Sequence, residues 1–271
     1  MIRVELMKMV RTPRTWVTIA MLNALPIIVA ILLAVTDIGP RPGTGPAFLS
    51  AVLTDGRLYP LAALAIVLPL FLPIAVAVVA GDSIAGEAQA GTLRYLLIRP
   101  VGRTQLLLAK LVSVIAFVLL TVVIVATTGY VMGRLFLGDG DASGLATSIS
   151  GSTLTGTQLV ERTLLSIAYV TLSMLGVAAL ALLLSTFTDS SLGAALGALG
   201  FLIASTLLLT LDAADSLQPF LPTRYWLSFV DLFRDPILWR DLLRGVGLQG
   251  IYVGVFFAAA WANFTTKDIT S

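Results

Sequence analysis

The chain has 271 residues, 58% of them hydrophobic and 12% charged, with a mean hydropathy of +0.97 and a net charge of +2. Soluble domains average about 45–50% apolar and about 25% charged, so this apolar excess cannot be hidden in one water-surrounded core and points to lipid. The lack of cysteine excludes disulfides and thiolate metal sites, the lack of histidine removes the commonest general base and metal ligand, and no basic run points to nucleic acid.

Residues 2–12 place Ile2, Leu6, Met9 and Val10 at i, i+4, i+7 and i+8, with Arg3, Glu5, Lys8 and Arg11 elsewhere on the wheel. This predicts an amphipathic helix lying on the inner leaflet, either a plain anchor or a force-transmitting element. Pro13 ends it. A bilayer core of roughly 30 Å needs about 20 helical residues. Six runs free of Asp, Glu, Lys and Arg reach that length: Trp16–Thr36, Tyr59–Ala80, Leu111–Met132, Leu164–Leu184, Leu192–Leu211 and Gly245–Phe264. In lipid such runs must be helical, because every backbone donor and acceptor has to be paired internally. The last run is the weakest, being Gly-rich with Gln249 and Asn263.

Between the spans, Gly39–Gly45 reads as a loop and Leu135–Gln158 as a mobile external loop rich in Gly, Ser, Thr and Asp. Asp212–Arg244 carries six aromatic residues among charges and is cut by Pro219, Pro222 and Pro236; it predicts two short helices dipping back toward the outer leaflet, or an aromatic belt around a surface loop. Arg3, Lys8, Arg11 and Arg14 precede the first span and Asp37 follows it. The amino terminus is therefore expected inside, together with the 82–104 segment, Thr186–Ser191 and the carboxyl terminus.

Residues 81–104 form a charged island between the second and third spans. Ser83 is expected to cap a short helix containing Glu87, a turn is expected near Gly91, and Thr92 is expected to cap a second helix, Leu93–Arg99, stopped by Pro100. Leu93, Leu96 and Leu97 share an apolar face, Arg94 and Arg99 point elsewhere, and Thr104 is expected to cap the third span. The expectation is a helical hairpin that serves as a docking handle; a plain solvated loop fits the same residues.

Gly86-Glu87, Gly91-Thr92-Leu93, Leu96-Leu97, Arg99-Pro100, Arg103 and then Lys110 entering a span resemble the pattern of the ABC-2 type permeases, the six-span transmembrane subunits of ABC exporters. The resemblance takes in the amphipathic start, the six spans, the aromatic last external loop and the tail Thr266-Lys267-Asp268-Ile269-Thr270, essentially the whole chain. It implies an all-α polytopic membrane protein made of one transmembrane domain, 1–271. In it, 2–12 is an elbow helix, 82–103 a coupling hairpin that enters a groove of a cytoplasmic ATPase, and 212–244 an external re-entrant segment. It marks Asp82, Glu87, Gly91, Thr92, Leu93, Arg94, Leu97, Arg99 and Arg103 as ATPase-coupling residues. In such permeases the second and fifth spans line a pathway between two copies, which points to Pro69, Pro73, Gly193, Gly197, Ser205 and Thr206 as pathway or dimer-interface residues.

A phosphate-binding loop needs G-x4-G-K-[ST], and the successors of Lys8, Lys110 and Lys267 are Met9, Leu111 and Asp268. The chain is therefore expected not to be an ATPase itself. The resemblance implies that it is no enzyme and holds no cofactor, with ATP and magnesium bound by two copies of a separate cytoplasmic ATPase, alongside a second permease, identical or homologous, in a bacterial cytoplasmic (inner) membrane. With no Asp, Glu, Lys or Arg inside the six runs, an ion-driven carrier is disfavoured. The expected function is export of a hydrophobic or amphipathic cargo such as a drug, lipid-linked compound or peptide. The alternative is a related membrane subunit that transmits force to an external maturation or sensing partner. A membrane enzyme would have to be built on Asp231, Arg234, Asp235, Arg240 and Asp241, which read as rim charges.

Overall fold

A computed structural model describes residues 1–36, 55–91, 102–138 and 146–266. Its helices are α1 (Ile2–Arg11), α2 (Pro13–Val35), α3 (Tyr59–Val67), α4 (Phe71–Gln89), α5 (Arg103–Phe136), α6 (Gly156–Phe187), α7 (Ser191–Leu208) and α8 (Trp239–Thr266). All but α1 and α3 are long and apolar enough to cross a bilayer, which makes six spans and a multi-pass membrane protein. The architecture is all-helical apart from a two-stranded antiparallel ladder, Ala146–Thr147 with Thr153–Leu154.

Several helices outrun the apolar runs that announce them, whereas α7 stops at Leu208, short of the expected Leu211. The second expected span, Tyr59–Ala80, is divided: α3 stops at Val67, the chain turns at 68–70, and α4 restarts at Phe71. Pro69 explains the break, since it has no N–H to give Ala65 and its ring crowds the preceding turn. Beyond the apolar run α4 continues through Gly81, Asp82 and Glu87 to Gln89. Ser83 is thus a mid-helix residue whose hydroxyl donates to the Ala80 carbonyl at 2.6 Å, and it caps no separate helix. The expected turn at Gly91 is present, with φ of +68°. Thr104 is likewise inside α5, which begins after Gly102. Leu135–Gln158 is not simply a loop: α5 runs to Phe136, and Thr155 and Gln158 form a reciprocal capping box that starts α6. The expected helices within 212–244 are 3-10 segments, Asp212–Ala214, Gln218–Phe220 and Trp226–Phe233, and Trp239 already belongs to α8.

α6 is the central post, the most buried span, packed against α4, α5, α7 and α8. Ser185 bonds it to α4 by accepting from the backbone N–H of Ile84 and Ala85 and donating to the Gly81 carbonyl. On the other side α3 presses on α5 through glycine. A Cβ built on Gly133 would lie 2.0 Å from the Gly56 carbonyl oxygen, and one on Gly129 would lie 2.9 Å from Ala63 Cβ. Gly129 and Gly133 are therefore the small-xxx-small pair that brings two backbones together. The pairs that stand out in the apolar runs, Gly193/Gly197 and Gly250/Gly254, lie on exposed faces instead.

Gly133→Leu should destabilise the bundle by about 1–3 kcal/mol or more, the cost of forced overpacking, seen as a lowered Tm in detergent. Gly250→Leu, where a Cβ meets nothing within 4 Å, should leave Tm unchanged. A harmless Gly133→Leu would disprove the close α3–α5 approach.

Candidate functional site

The charges of the 81–104 island do not all face outward. Glu87, 7% exposed, sits where α4 meets α1 and α5. Its Oε1 accepts from Lys8 Nζ of α1 at 2.7 Å, and its Oε2 lies 2.8 Å from Lys110 Nζ of α5. Lys110, 1% exposed, also has Glu5 Oε1 of α1 at 3.8 Å. Two carboxylates and two ammonium groups thus form a neutral quartet joining three helices. Arg14 at the start of α2 adds a looser contact, 4.0 Å to Asp82 on α4.

Burial alone would lower the pKa of Lys8, but the hydrogen bond and charge of Glu87, with help from Glu5 and Asp82, outweigh it and raise the value above the ordinary 10.5. A raised lysine stabilises the fold fully below its unfolded pKa and loses that effect only as pH climbs through the folded value. The Lys8 contribution is therefore constant across neutral pH and declines in alkali.

A second set of contacts closes the same end of the bundle. Arg103 donates to the last-turn carbonyls of α8, Phe264 at 3.3 Å and Thr265 at 2.9 Å, where a cation also complements the helix dipole. Trp261 Nε1 donates to Thr104 Oγ1, and Asn263 Nδ2 to Thr186 Oγ1. Ile84, Leu106, Leu107, Leu182, Ala260 and Phe264 pack into a small core between them. The helix ends on either side of residues 92–101 therefore rise from one packed platform.

Of the expected coupling residues, Asp82, Glu87, Gly91 and Arg103 are placed at this platform, Glu87 and Arg103 with their side chains turned into it. Thr92, Leu93, Arg94, Leu97 and Arg99 lie outside the described residues. The expected pathway residues are not brought together. Pro69, Gly193, Gly197 and Thr206 are exposed, Pro73 is buried in the protomer, and buried Ser205 bonds Thr223 Oγ1 at 2.7 Å. Sequence reasoning missed Lys110, Lys8 and Glu5 as partners of Glu87. The available signal was Lys110 itself, a cation against a long apolar run that demands a carboxylate.

At the opposite end, Asp231 pairs with Arg234 at 2.8 Å and Asp235 with Arg162 at 3.7 Å. Among the described residues no three acidic side chains converge where a cation could bind.

Glu87→Gln strands Lys110, whose side chain is 2% exposed, beside the more distant Glu5. It should cost about 3–5 kcal/mol of stability, as removal of one partner of a buried pair does. Adding Lys110→Met should recover part of that, giving a coupling of about 0.5–3 kcal/mol in a double-mutant cycle by denaturant unfolding in detergent. Strict additivity would show that the two charges do not act as a unit.

The model of a family described as a protein of unknown function, DUF2705, matches residues 27–270. A Bacillus subtilis (strain 168) protein named Uncharacterized protein YhcI is 28% identical over 212 residues, 72% of this chain and 63% of that protein. The chain thus spans less than two thirds of that relative's own length. The family match covers α3 through α8 and only the last part of α2, from residue 27 to Val35, so it includes Glu87, Lys110 and Arg103 with the helices that carry them. On that match the chain belongs to the DUF2705 family.

Proposed function

We propose that this chain is the membrane subunit of an ATP-driven exporter of the ABC-2 type. In this reading two copies of a separate cytoplasmic ATPase bind ATP and magnesium, and a second permease, identical or homologous, completes the pathway. The chain lies in a bacterial cytoplasmic membrane with both termini in the cytosol. The observation that carries the reading is the mounting of residues 92–101. The chain leaves α4 just before them and enters α5 just after them, and both helix ends are fixed in the platform built on Glu87, Lys110 and Arg103.

A lever needs a stiff base. A push on Leu93, Arg94, Leu97 or Arg99 would be delivered to α4 and α5 together. Through the quartet it would reach α1, the elbow helix of this reading, and from α1 it would pass to α2. Through Arg103 it would reach α8. Glu87 then acts as a strut within the subunit and not as an ATPase contact. The 212–238 segment would be the re-entrant external element. The exposed residues Pro69, Gly193, Gly197 and Thr206 remain the candidates for a pathway or dimer face, and the exposed Leu196, Ile203 and Leu207 on α7 suit a hydrophobic or amphipathic cargo.

The test is co-expression with a candidate ABC-type ATPase from the same genome. Arg94→Glu/Arg99→Glu should reduce ATPase capture by about tenfold, the scale of one or two lost ionic contacts, while the Tm of the purified membrane subunit stays unchanged. Undiminished capture and cargo-stimulated hydrolysis in the double variant would refute the docking role. A complex that hydrolyses ATP yet moves no cargo would favour force transmission to an external partner.

A further inference from the structure

Beside the charge quartet lies a cavity of about 440 Å³, bounded by α1, α2, α4, α5 and α7. That volume is within the roughly 300–1,000 Å³ typical of ligand sites. Its apolar lining includes the buried Val114 and Ala195 and the half-buried Val79, and the more exposed Lys8, Arg14 and Asp82 stand at its rim. The outward face of α1 exposes Val4, Met7 and Val10, which suits a helix lying at headgroup depth. The cavity therefore opens where lipid headgroups meet acyl chains.

The rim presents both signs of charge in an unsaturated state. Arg14 and Asp82 stand 4.0 Å apart, with side chains 87% and 48% exposed. That is beyond the roughly 2.7–2.9 Å of a formed ionic hydrogen bond, so each retains capacity for a ligand. Among the described residues Lys8 makes one side-chain hydrogen bond, to Glu87, and it holds three donors. Thr15 is 6% exposed, lines the cavity and makes no side-chain hydrogen bond among the described residues.

A ligand whose own opposite charges lie a few ångströms apart can align antiparallel to the Arg14–Asp82 dipole. Its phosphate then meets Arg14 and Lys8, and its ammonium meets Asp82. A ligand carrying only negative charge would gain the same cations but meet Asp82 as a repulsion. We infer that this cleft binds the phosphoethanolamine headgroup of a membrane lipid, with the acyl chains running along its apolar wall. The inference rests on the membrane placement of the spans and not on the ATPase reading, so either can fail alone.

The experiment is native mass spectrometry of the detergent-purified full chain. It is titrated with dioleoylphosphatidylethanolamine, with dioleoylphosphatidylglycerol and with soluble glycerophosphoethanolamine. The amine lipid should bind about fivefold more tightly than the glycerol lipid, the worth of one exposed ionic contact. The soluble headgroup should be weaker by about tenfold or more for want of its chains. Asp82→Asn should erase the preference between the two lipids, and Arg14→Gln should weaken both. The exposure of both side chains lets the variants keep the native Tm, which is measured alongside. Equal affinity for the two lipids, a preference that survives Asp82→Asn, or a soluble headgroup as tight as the lipid would each overturn the assignment.

Discussion

Glu87 stands between two lysines that come from different helices, and Glu5 completes a set of charges summing to zero. Removing an ammonium or carboxylate from water costs several kcal/mol per ion even after relaxation. Lys110 could not remain buried without a partner so close. Buried pairs are weak evidence for stability, because the attraction roughly offsets the desolvation. What this set supplies is position. No residue of α1 is buried, so apolar burial alone barely holds that helix to the bundle. Its register against α4 and α5 is decided by Lys8 reaching one oxygen of Glu87 while Glu5 reaches Lys110.

The course of α4 follows from the same constraint. Its apolar run ends at Ala80, yet the helix continues for two and a half turns because the polar groups beyond find partners within the protein. Ser185 of α6 bonds three backbone groups around Gly81 and Ala85, and Glu87 meets its lysines. The helix stops where Gly91 adopts a positive φ that other residues resist. At the matching end of α5, Arg103 satisfies carbonyls that α8 would otherwise leave open. The result is that no span at this end can shift without disturbing another.

The six spans were legible because lipid leaves no other structure for long apolar runs. Their ends were not, because charge counting treats Glu87 and Arg103 as solvent-seeking whereas packing gives them partners. The break at 68–70 was partly legible in Pro69; proline shows where a ladder is interrupted but not whether the helix kinks or stops. Gln249 and the glycines made the last span look doubtful. In the structure Gly176 leaves room for the Gln249 amide to reach the Pro222 carbonyl, and Gly245 leaves room for the Tyr169 hydroxyl to reach the Tyr225 carbonyl. The feature that weakened the span in sequence is what lets a neighbouring segment bind to it. For Glu87, the residue type and region were legible as a site, but its inward direction depended on Lys8 and Lys110, which are distant in the chain.

The two ends of the bundle are held by different chemistry. At the α1 end a buried charge quartet joins three helices, beside the Arg103, Trp261 and Asn263 bonds that tie in α8. At the other end side chains of the spans donate to backbone carbonyls of the 212–238 segment: Tyr169 to Tyr225, Gln249 to Pro222, Tyr252 to Phe220 and Arg162 to Arg234. The prolines and short 3-10 turns of that segment leave carbonyls without regular partners, and the spans supply the missing donors. Such bonds are directional, and three of the four come from uncharged donors, so charge compensation plays little part in them. α8 takes part in both systems, gripped through Arg103 and Asn263 at one terminus and holding Pro222 and Phe220 through Gln249 and Tyr252 farther along. A displacement imposed on the α4–α5 platform would therefore carry α8 with it, and the 212–238 segment with α8, as one body, with no requirement for a contiguous chain of side-chain rearrangements through the bundle.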